Sequence, residues 1–318
     1  MAMLRVALLA LLAAMATSAG AQEWPSRPVR FVVPFPAGGS TDVGARLVGE
    51  HLSRSLHQQI VVENKSGANG NIGIETAAKS PADGYTVLVA TDAMSSNPHV
   101  YKMNVDPLKG LTPVVQLSRQ PMVLAAHSSL GIASLAELIA LARQQPGLRY
   151  ATGSGVGAQH MVVQWFASIA GIKLEQVPYR GGAPAINDLI AGHVKLGSLG
   201  STPLIPHYKA GTLRLLAQST EKRSPSLPDV PTYQEAGVKG LVLDQWLGVF
   251  VPVGTPPVIV TRLNTEINKA LAEVAVRDGF LQSGQEPVGG SAEAFSQLVH
   301  GDFETYARLV KELNIKSD

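Results

Sequence analysis

The sequence predicts an α/β protein of two lobes, each a mostly parallel sheet flanked by helices, with two crossover strands running between them. Three observations carry this expectation. Strand-like apolar runs alternate with helix-like runs over most of the chain. The alternation pauses and then restarts near Ser134. The residues after Pro257 are helical in pattern with no strands of their own, so they are expected to pack back on the first lobe.

Val29 to Phe35 reads as a buried strand, and Asp42 to Leu56 as a helix with Val43, Leu47, Leu52 and Leu56 on one face. Gln59 to Glu63 is a second strand, Asn71 to Lys79 a helix, and Tyr85 to Ala90 a third strand, with turn chemistry at Ser80-Pro81-Ala82-Asp83-Gly84. This βαβαβ order implies parallel strands joined by right-handed crossovers. In the second lobe, Ser134-Leu135-Ala136-Glu137 is a capping box for a helix that stops near Pro146-Gly147. Leu148 to Ala151 is a strand, Ala158 to Ala170 a helix and Leu174 to Pro178 a strand. Ala183 to Ala191, Val194 to Ser198, Pro203 to Lys209 and Leu213 to Gln218 continue the alternation, and Ser224 to Pro231 is expected to be a surface loop. Leu241 to Val251 is a last strand, followed by helices over Pro257 to Val276 and Ala292 to Leu313. The chain then crosses between lobes near Pro113 to Ala125 and near Val242 to Val251, giving residues 22–122 plus 248–318 to lobe 1 and 123–247 to lobe 2.

Residues 1–21 stand apart. Arg5 precedes an apolar run from Val6 to Met15, and Ala19-Gly20-Ala21 is an A-x-A cleavage site, so a secretory signal is expected. The apolar run is too short for a permanent span. The chain has no cysteine, hence no disulfide and no lipid-accepting residue behind the leader, and the expected location is the periplasm, free rather than lipid-anchored. Loss of Arg5 with the leader takes the 26 basic residues to 25 against 24 acidic ones, a balance that argues against nucleic acid or an anionic membrane as partner. An anion must be held locally.

Two glycine turns can do that. Gly38-Gly39-Ser40-Thr41 joins a strand to a helix, where first-turn N–H groups, the helix dipole and the Ser40 and Thr41 hydroxyls all favour an anion. The same residues also read as a plain turn with Thr41 or Asp42 as cap, and both readings stand open on these residues alone. Thr152-Gly153-Ser154-Gly155-Val156-Gly157-Ala158-Gln159-His160 repeats the device in the second lobe. It also matches a dinucleotide fingerprint at Gly153, Gly155 and Ala158, with Glu175 further on. Its mid-chain place, the short polar strand before it and the exported context argue for an anion nest instead. Tyr179-Arg180-Gly181-Gly182 is a third turn: Arg180 is either a bidentate carboxylate partner or a solvated surface group, and Tyr179 either lines the cleft or packs the sheet edge. Asn69-Gly70-Asn71 opens a helix by capping it or offers an amide to a ligand.

Catalysis finds little support. No G-x-S-x-G is present, there is no thiol, and the eight histidines show no metal-ligand spacing. A triad of Ser154, His160 and a distant Asp has nothing to fix its geometry. The protein is expected to be no enzyme and to use neither cofactor nor metal.

Several stretches together resemble one family. They are Pro34 to Asp42 (PFPAGGSTD), Glu63 to Gly70 (ENKSGANG), Asp83-Gly84-Tyr85-Thr86, Val177 to Ala185 (VPYRGGAPA), Asp188 to Gly192 (DLIAG) and Pro252 to Pro256 (PVGTP). Their order is similar to that of the Bug family, extracytoplasmic solute receptors of tripartite tricarboxylate transporters. The resemblance implies a two-lobed periplasmic binding protein of type II-like architecture, monomeric, closing on a small carboxylic acid and delivering it to one small and one large integral membrane subunit. It implies one carboxylate held through the loops matching Ala37 to Thr41 and Thr152 to Gly157, partly by ordered water. The expected ligand-binding set is Phe35, Ala37, Gly38, Gly39, Ser40, Thr41, Asn71, Thr91, Thr152, Gly153, Ser154, Gly155, Gly157, His160, Tyr179, Arg180, Ser201 and Thr202. Many relatives carry an acidic residue where this chain has Leu199; its absence removes a partner for a ligand amine and points to a non-amino acid, a dicarboxylate such as adipate or terephthalate. A sensor feeding a two-component system is the runner-up, and a secreted serine hydrolase the remote one.

Overall fold

The computed structural model describes residues 24–315 apart from Ser154 and Arg180, and of Thr202 the backbone only. The expected leader lies outside the described residues. In chain order the elements are β1 (Val29–Val33), α1 (Ser40–Ser55), β2 (Ile60–Asn64), α2 (Asn71–Ala78), β3 (Thr86–Thr91), α3 (Ala93–Ser96), α4 (Pro107–Gly110), β4 (Leu111–Gln120) and β5 (Met122–His127). There follow α5 (Leu135–Gln144), β6 (Leu148–Thr152), α6 (Ala158–Ala170), β7 (Leu174–Pro178), α7 (Gly182–Ile190), β8 (Leu196–Gly200), α8 (Ile205–Lys209) and β9 (Leu213–Gln218). The chain closes with β10 (Gln245–Pro252), α9 (Pro257–Ala272), α10 (Val274–Gln282), the short β11 (Glu286–Pro287) and α11 (Ala292–Glu312).

The strands form two sheets, in the orders β11-β4-β10-β3-β1-β2 and β7-β6-β8-β5-β9, so the two-lobed α/β architecture is as expected. The sheets are mixed rather than mostly parallel. β1 runs parallel to β2 and β3, and β6 to β7 and β8. β10, however, lies antiparallel between β3 and β4, and β5 antiparallel between β8 and β9. The reason is the route of the chain. β4 ends at Gln120 and β5 starts at Met122, so a strand entering from the other lobe begins at the shared edge and must run away from it, against strands that end there. The register says the same: Gln245 starts β10 opposite Gln120, and Met122 starts β5 opposite Gly200.

Both faces of both sheets are covered. Phe31, Val33, Val87 and Val89 face α1, α9 and α10 through Ala45, Val48, Leu52, Leu263 and Phe280, whereas Val32 and Leu88 face α2, α3 and the start of α11 through Ile74, Met94 and Phe295. The buried side of α1 is therefore Ala45, Val48, Leu52 and, just past its end, Leu56; Val43 and Leu47 are only half-buried, Leu47 lying against Gly279 of α10. The ring of Phe295 lies on Gly248, where a Cβ would come within 2.0 Å of it. In the second sheet, α5 and α6 cover one face and α7 the other. The helices after Pro257 differ from expectation in two ways. An extended Glu273 breaks the first run into α9 and α10, and α11 serves both lobes, with Phe295 and Val299 in the first core but Tyr306 and Leu309 in the second. The 224–231 loop is less superficial than expected: Leu227 and Val230 are buried, and Gln218 Nε2 donates to the carbonyls of both, at 3.1 and 2.6 Å. No described helix is long and apolar enough to cross a membrane.

Candidate functional site

The loops after β1 and β6 both leave strand ends that border the junction of the two sheets, and each leads into a helix of more than three turns. In α1 the first intrahelical donor is Val43, whose N–H reaches Gly39 O at 3.0 Å. The amides of Ser40, Thr41 and Asp42 precede it and have no helical acceptor. The N-cap, Gly39, makes no side-chain cap bond. Asp42, one of the two candidate caps, does something else: its Oδ2 accepts from the N–H of Gly38 at 2.9 Å and from Arg46 Nε at 2.9 Å, and its Oδ1 from Asn64 Nδ2 at 3.0 Å. Asn64 also donates to Phe35 O at 3.0 Å. Burial acts to raise the Asp42 pKa, but these hydrogen bonds and the Arg46 charge outweigh it and hold the carboxyl below its usual range. The loop is thus braced from beneath by an ionised side chain, with Gly38 supplying the left-handed backbone, φ +81°.

The second loop is built from neutral groups. Gly157 is an N-cap without a side-chain bond, and the first helical donors of α6, His160 and Met161, reach its carbonyl at 3.0 and 2.9 Å. Gly153 N–H donates to Gln159 Oε1 at 2.7 Å, while Gln176 Nε2 donates to Thr152 Oγ1 and to Gly155 O, both at 2.8 Å. Gly153 packs on the third turn: a Cβ there would lie 2.9 Å from Gly182 N, so the ends of β6 and β7 are pressed together. His160 Nδ1 is 2.9 Å from the Tyr150 hydroxyl, which also accepts from Gln164. Burial lowers the His160 pKa to about 4, so the imidazole is neutral at ordinary pH.

The expected site residues separate into groups. Ser40, Thr41 and Thr91 share a small buried polar cavity of about 10 Å³, room for a single water, with Ser118, Gln120, Gln245, Trp246, Leu247 and Gln285. Gln285, buried, ties it together by donating to Ser40 O at 3.2 Å and accepting from Ser118 Oγ at 2.7 Å; Gln120 and Gln245 bond each other across the crossover. Phe35 lies beside Gly70, where a Cβ would come within 3.2 Å of its ring, and Ala37 is exposed at the rim of the first loop. Asn71 is buried and accepts from Asn97. Tyr179 turns from the cleft: its hydroxyl donates to Asp188 at 2.6 Å, burial and that carboxylate push its pKa up to about 12, and its ring packs on the α7 core. The hydroxyl of Ser201, fully buried, donates to Gly284 O at 3.2 Å and joins the lobes. Ser154 and Arg180 lie outside the described residues, as does the Thr202 side chain, and Ser154 brings no geometry to a triad. Among the described residues no group of three or more His, Asp or Glu is placed to hold a metal.

One expectation is corrected. Leu199 does not border the cleft; it is buried in β8 with Val123, Ala151 and Leu189 in a core covered by α7. An inference about the ligand cannot rest on it. Sequence reasoning missed Tyr101, Asn97, Gln159, Gln176, Gln120, Gln245 and Gln285, whose partners are set by the fold rather than by spacing. It also missed three carboxylates beside the junction, Asp92 buried and Asp244 and Asp302 half-buried. Asp92 accepts from the Tyr306 hydroxyl at 2.9 Å, Asp302 accepts from Trp246 Nε1 at 2.5 Å, and Asp244 lies in the return crossover. Burial pushes Asp92 up to about 7 and Asp244 and Asp302 up to about 6.

The profile of the family described as "Tripartite tricarboxylate transporter family receptor" matches residues 44–315. Protein BugT of Bordetella pertussis is 35% identical over 311 residues, 96% of this chain and 94% of its own. Among solved structures, an R. palustris protein with adipate aligns at TM-score 0.86 and 37% identity over 93% of this chain and 100% of its own. MatC from Rhodopseudomonas palustris with bound malate aligns at TM-score 0.82 and 28% identity over 90% of this chain and 100% of its own.

Proposed function

The chain belongs to the tripartite tricarboxylate transporter receptor family, and from that premise we propose that it is a periplasmic receptor that closes on a small organic dicarboxylate and passes it to the small and large membrane subunits of such a transporter. The observation that carries this reading is the pair of helix N-termini, α1 and α6, one per lobe, each at a strand end on the shared junction and neither capped by its own side chain. Such amides suit a carboxylate, each charged hydrogen bond contributing roughly 1.5–3 kcal/mol. The adipate and malate of the two structural relatives are acids of this class.

The first carboxylate is proposed to sit against the first-turn amides and hydroxyls of Ser40 and Thr41 in α1 and the amides of Gly157 and Ala158 at the start of α6, with Phe35 and His160 flanking it; the Gly38, Gly153 and Val156 amides are already bonded within the protein and shape the two loops instead. The moving bodies are proposed to be 22–122 with 248–318 and 123–247, and the last turns of α11, which pack on the second body, act as pivot. Binding needs no bond made or broken, so the chain acts as a receptor and not as an enzyme. Thermal shift with adipate, malate, terephthalate, aspartate and glutamate tests this. At least one of the three plain diacids is expected to raise Tm at millimolar concentration. Stabilisation by aspartate or glutamate alone narrows the ligand to an amino diacid, and no stabilisation by any of the five overturns the receptor reading.

A further inference from the structure

Two side chains of the first lobe hold one residue of the second by its backbone. The Tyr101 hydroxyl accepts from the N–H of Val156 at 3.2 Å, and Asn69 Nδ2 donates to the carbonyl of the same residue at 3.1 Å. Both polar backbone atoms of Val156, in the middle of the 153–157 loop, are therefore satisfied from across the cleft. Gly155 makes room for this, since a Cβ there would lie 2.8 Å from the Tyr101 hydroxyl.

Asn69 is held ready at some cost. Gly67, Ala68, Asn69 and Gly70 all have positive φ, +133°, +46°, +53° and +93°, and two of them are not glycine. Left-handed backbone costs a residue with a Cβ about 1–2 kcal/mol, and such strain persists only where its surroundings enforce it. Here the enforcing group is Asn97, fully buried, whose Nδ2 donates to Asn69 O at 2.9 Å and to Asn71 Oδ1 at 2.5 Å, and whose Oδ1 accepts from Asn69 Nδ2 at 2.8 Å. The strained turn thus presents a preset amide towards the other lobe.

The two holding groups differ. Tyr101 packs its ring against the second-lobe core as well as bonding the loop through its hydroxyl, so it seats the loop by two kinds of contact. Asn69 reaches Val156 by its amide alone, and that bond must break when the lobes part. We propose that Asn69 is a closure clasp and Tyr101 its anvil: positioning residues that set how long the cleft stays shut, without touching what it holds. This rests on the receptor reading for its biological meaning.

The chain has no cysteine, so spin labels can be placed at will. With Lys79→Cys on the first lobe and Lys173→Cys on the second, both exposed, pulsed electron resonance reads the interlobe distance without any ligand. The full-length mature protein is expected to show a short-distance population that falls in Asn69→Gly, which allows the left-handed backbone and removes the amide with its one bond across the cleft, to Val156 O, and its bond to Asn97 within the first lobe. Tyr101→Phe is expected to lower it as well. For adipate, or malate if adipate does not bind, the dissociation rate is expected to rise roughly tenfold in Asn69→Gly at unchanged association rate, the loss of about one hydrogen bond. A wild-type protein with no short-distance population overturns the clasp, as does a population unchanged in Asn69→Gly. Failure of both acids to bind wild type counts against the receptor reading alone, because the distances still decide the clasp.

Discussion

The loop between β1 and α1 is braced by its own lobe, whereas the loop between β6 and α6 is braced partly by the other. Asp42 sits one turn inside α1 and reaches back to the Gly38 amide, with Arg46 and Asn64 fixing the carboxylate. Glu137 makes the same backward reach to Ala133 N–H in α5, so this is a general way to anchor a helix entry. The second loop has no charge beneath it. Gln159 and Gln176 hold it from within its own lobe, and Asn69 and Tyr101 hold Val156 from outside. One half of the clamp is set before closure, and the other is completed by closure.

The sharpest way to break the comparison is at Asp42. Asp42→Ala removes a buried carboxylate that accepts from the Gly38 amide, Arg46 and Asn64, leaving Asn64 with Phe35 O alone, and is expected to cost about 3 kcal/mol in urea unfolding and to abolish stabilisation by dicarboxylates. Asp42→Asn, which keeps one oxygen, is expected to fall between. Because the folded pKa of Asp42 is lowered, its contribution is present above the usual carboxylate range and is lost as pH falls through the folded value. If Asp42→Ala unfolds within 1 kcal/mol of wild type, the first loop is no more preformed than the second.

The carboxylates at the junction show the opposite sign. Asp92 is pushed up to about 7 by burial; Tyr306 and Gln245 bond it, and the neighbouring Asp302 adds a like charge. A raised acid binds its proton more tightly when folded, so its contribution is present at low pH and is lost as pH rises from the usual carboxylate value to about 7. Unfolding free energy is expected to fall by on the order of 2 kcal/mol between pH 5 and pH 8, and Asp92→Asn is expected to flatten that slope. A wild-type protein equally stable at both pH values would remove the contrast between the loop acid and the junction acids.

The parts that were legible in the sequence are those whose partners are local. The capping serine and Glu137 lie three apart, and α6, β7 and β9 begin and end where their apolar runs do; Asp42, read as a cap, was an exception, since its partners Gly38 and Arg46 are local, four residues away on either side, yet were not read. Strand direction was not legible for β5 and β10, since it depends on the side from which the chain re-enters a sheet. Nor were the glutamines: Gln285 meets Ser118 across 167 positions, and Tyr101 meets Val156 across 55. Leu199 was misplaced because both faces of β8 are covered, so a residue in mid-strand enters a core whichever way it points.

The glycines give the finest test, since each loop uses them differently. In the second loop, Gly153 is a packing requirement: a Cβ would meet the Gly182 backbone at 2.9 Å, which cannot swing aside. Gly153→Ala is therefore expected to cost about 2 kcal/mol and to weaken binding through the displaced loop. In the first loop, Gly38 has open space but a φ of +81°, so Gly38→Ala is expected to cost about 1 kcal/mol through backbone strain alone. Gly39, at φ −76°, has its nearest neighbour, Pro36 O, at an ordinary 3.4 Å, and alanine there is expected to fall within about 0.5 kcal/mol of wild type. Stability, however, is not what Gly39 is placed for. As N-cap it borders the uncapped amides of α1, so a larger β-branched residue, Gly39→Val, is expected to leave the apo Tm nearly unchanged and to reduce the Tm rise with adipate or malate. Apo stabilities in the reverse order would mean that the first loop is held by close packing and the second by its φ angles, and an unchanged ligand response in Gly39→Val would leave the first loop a simple helix entry.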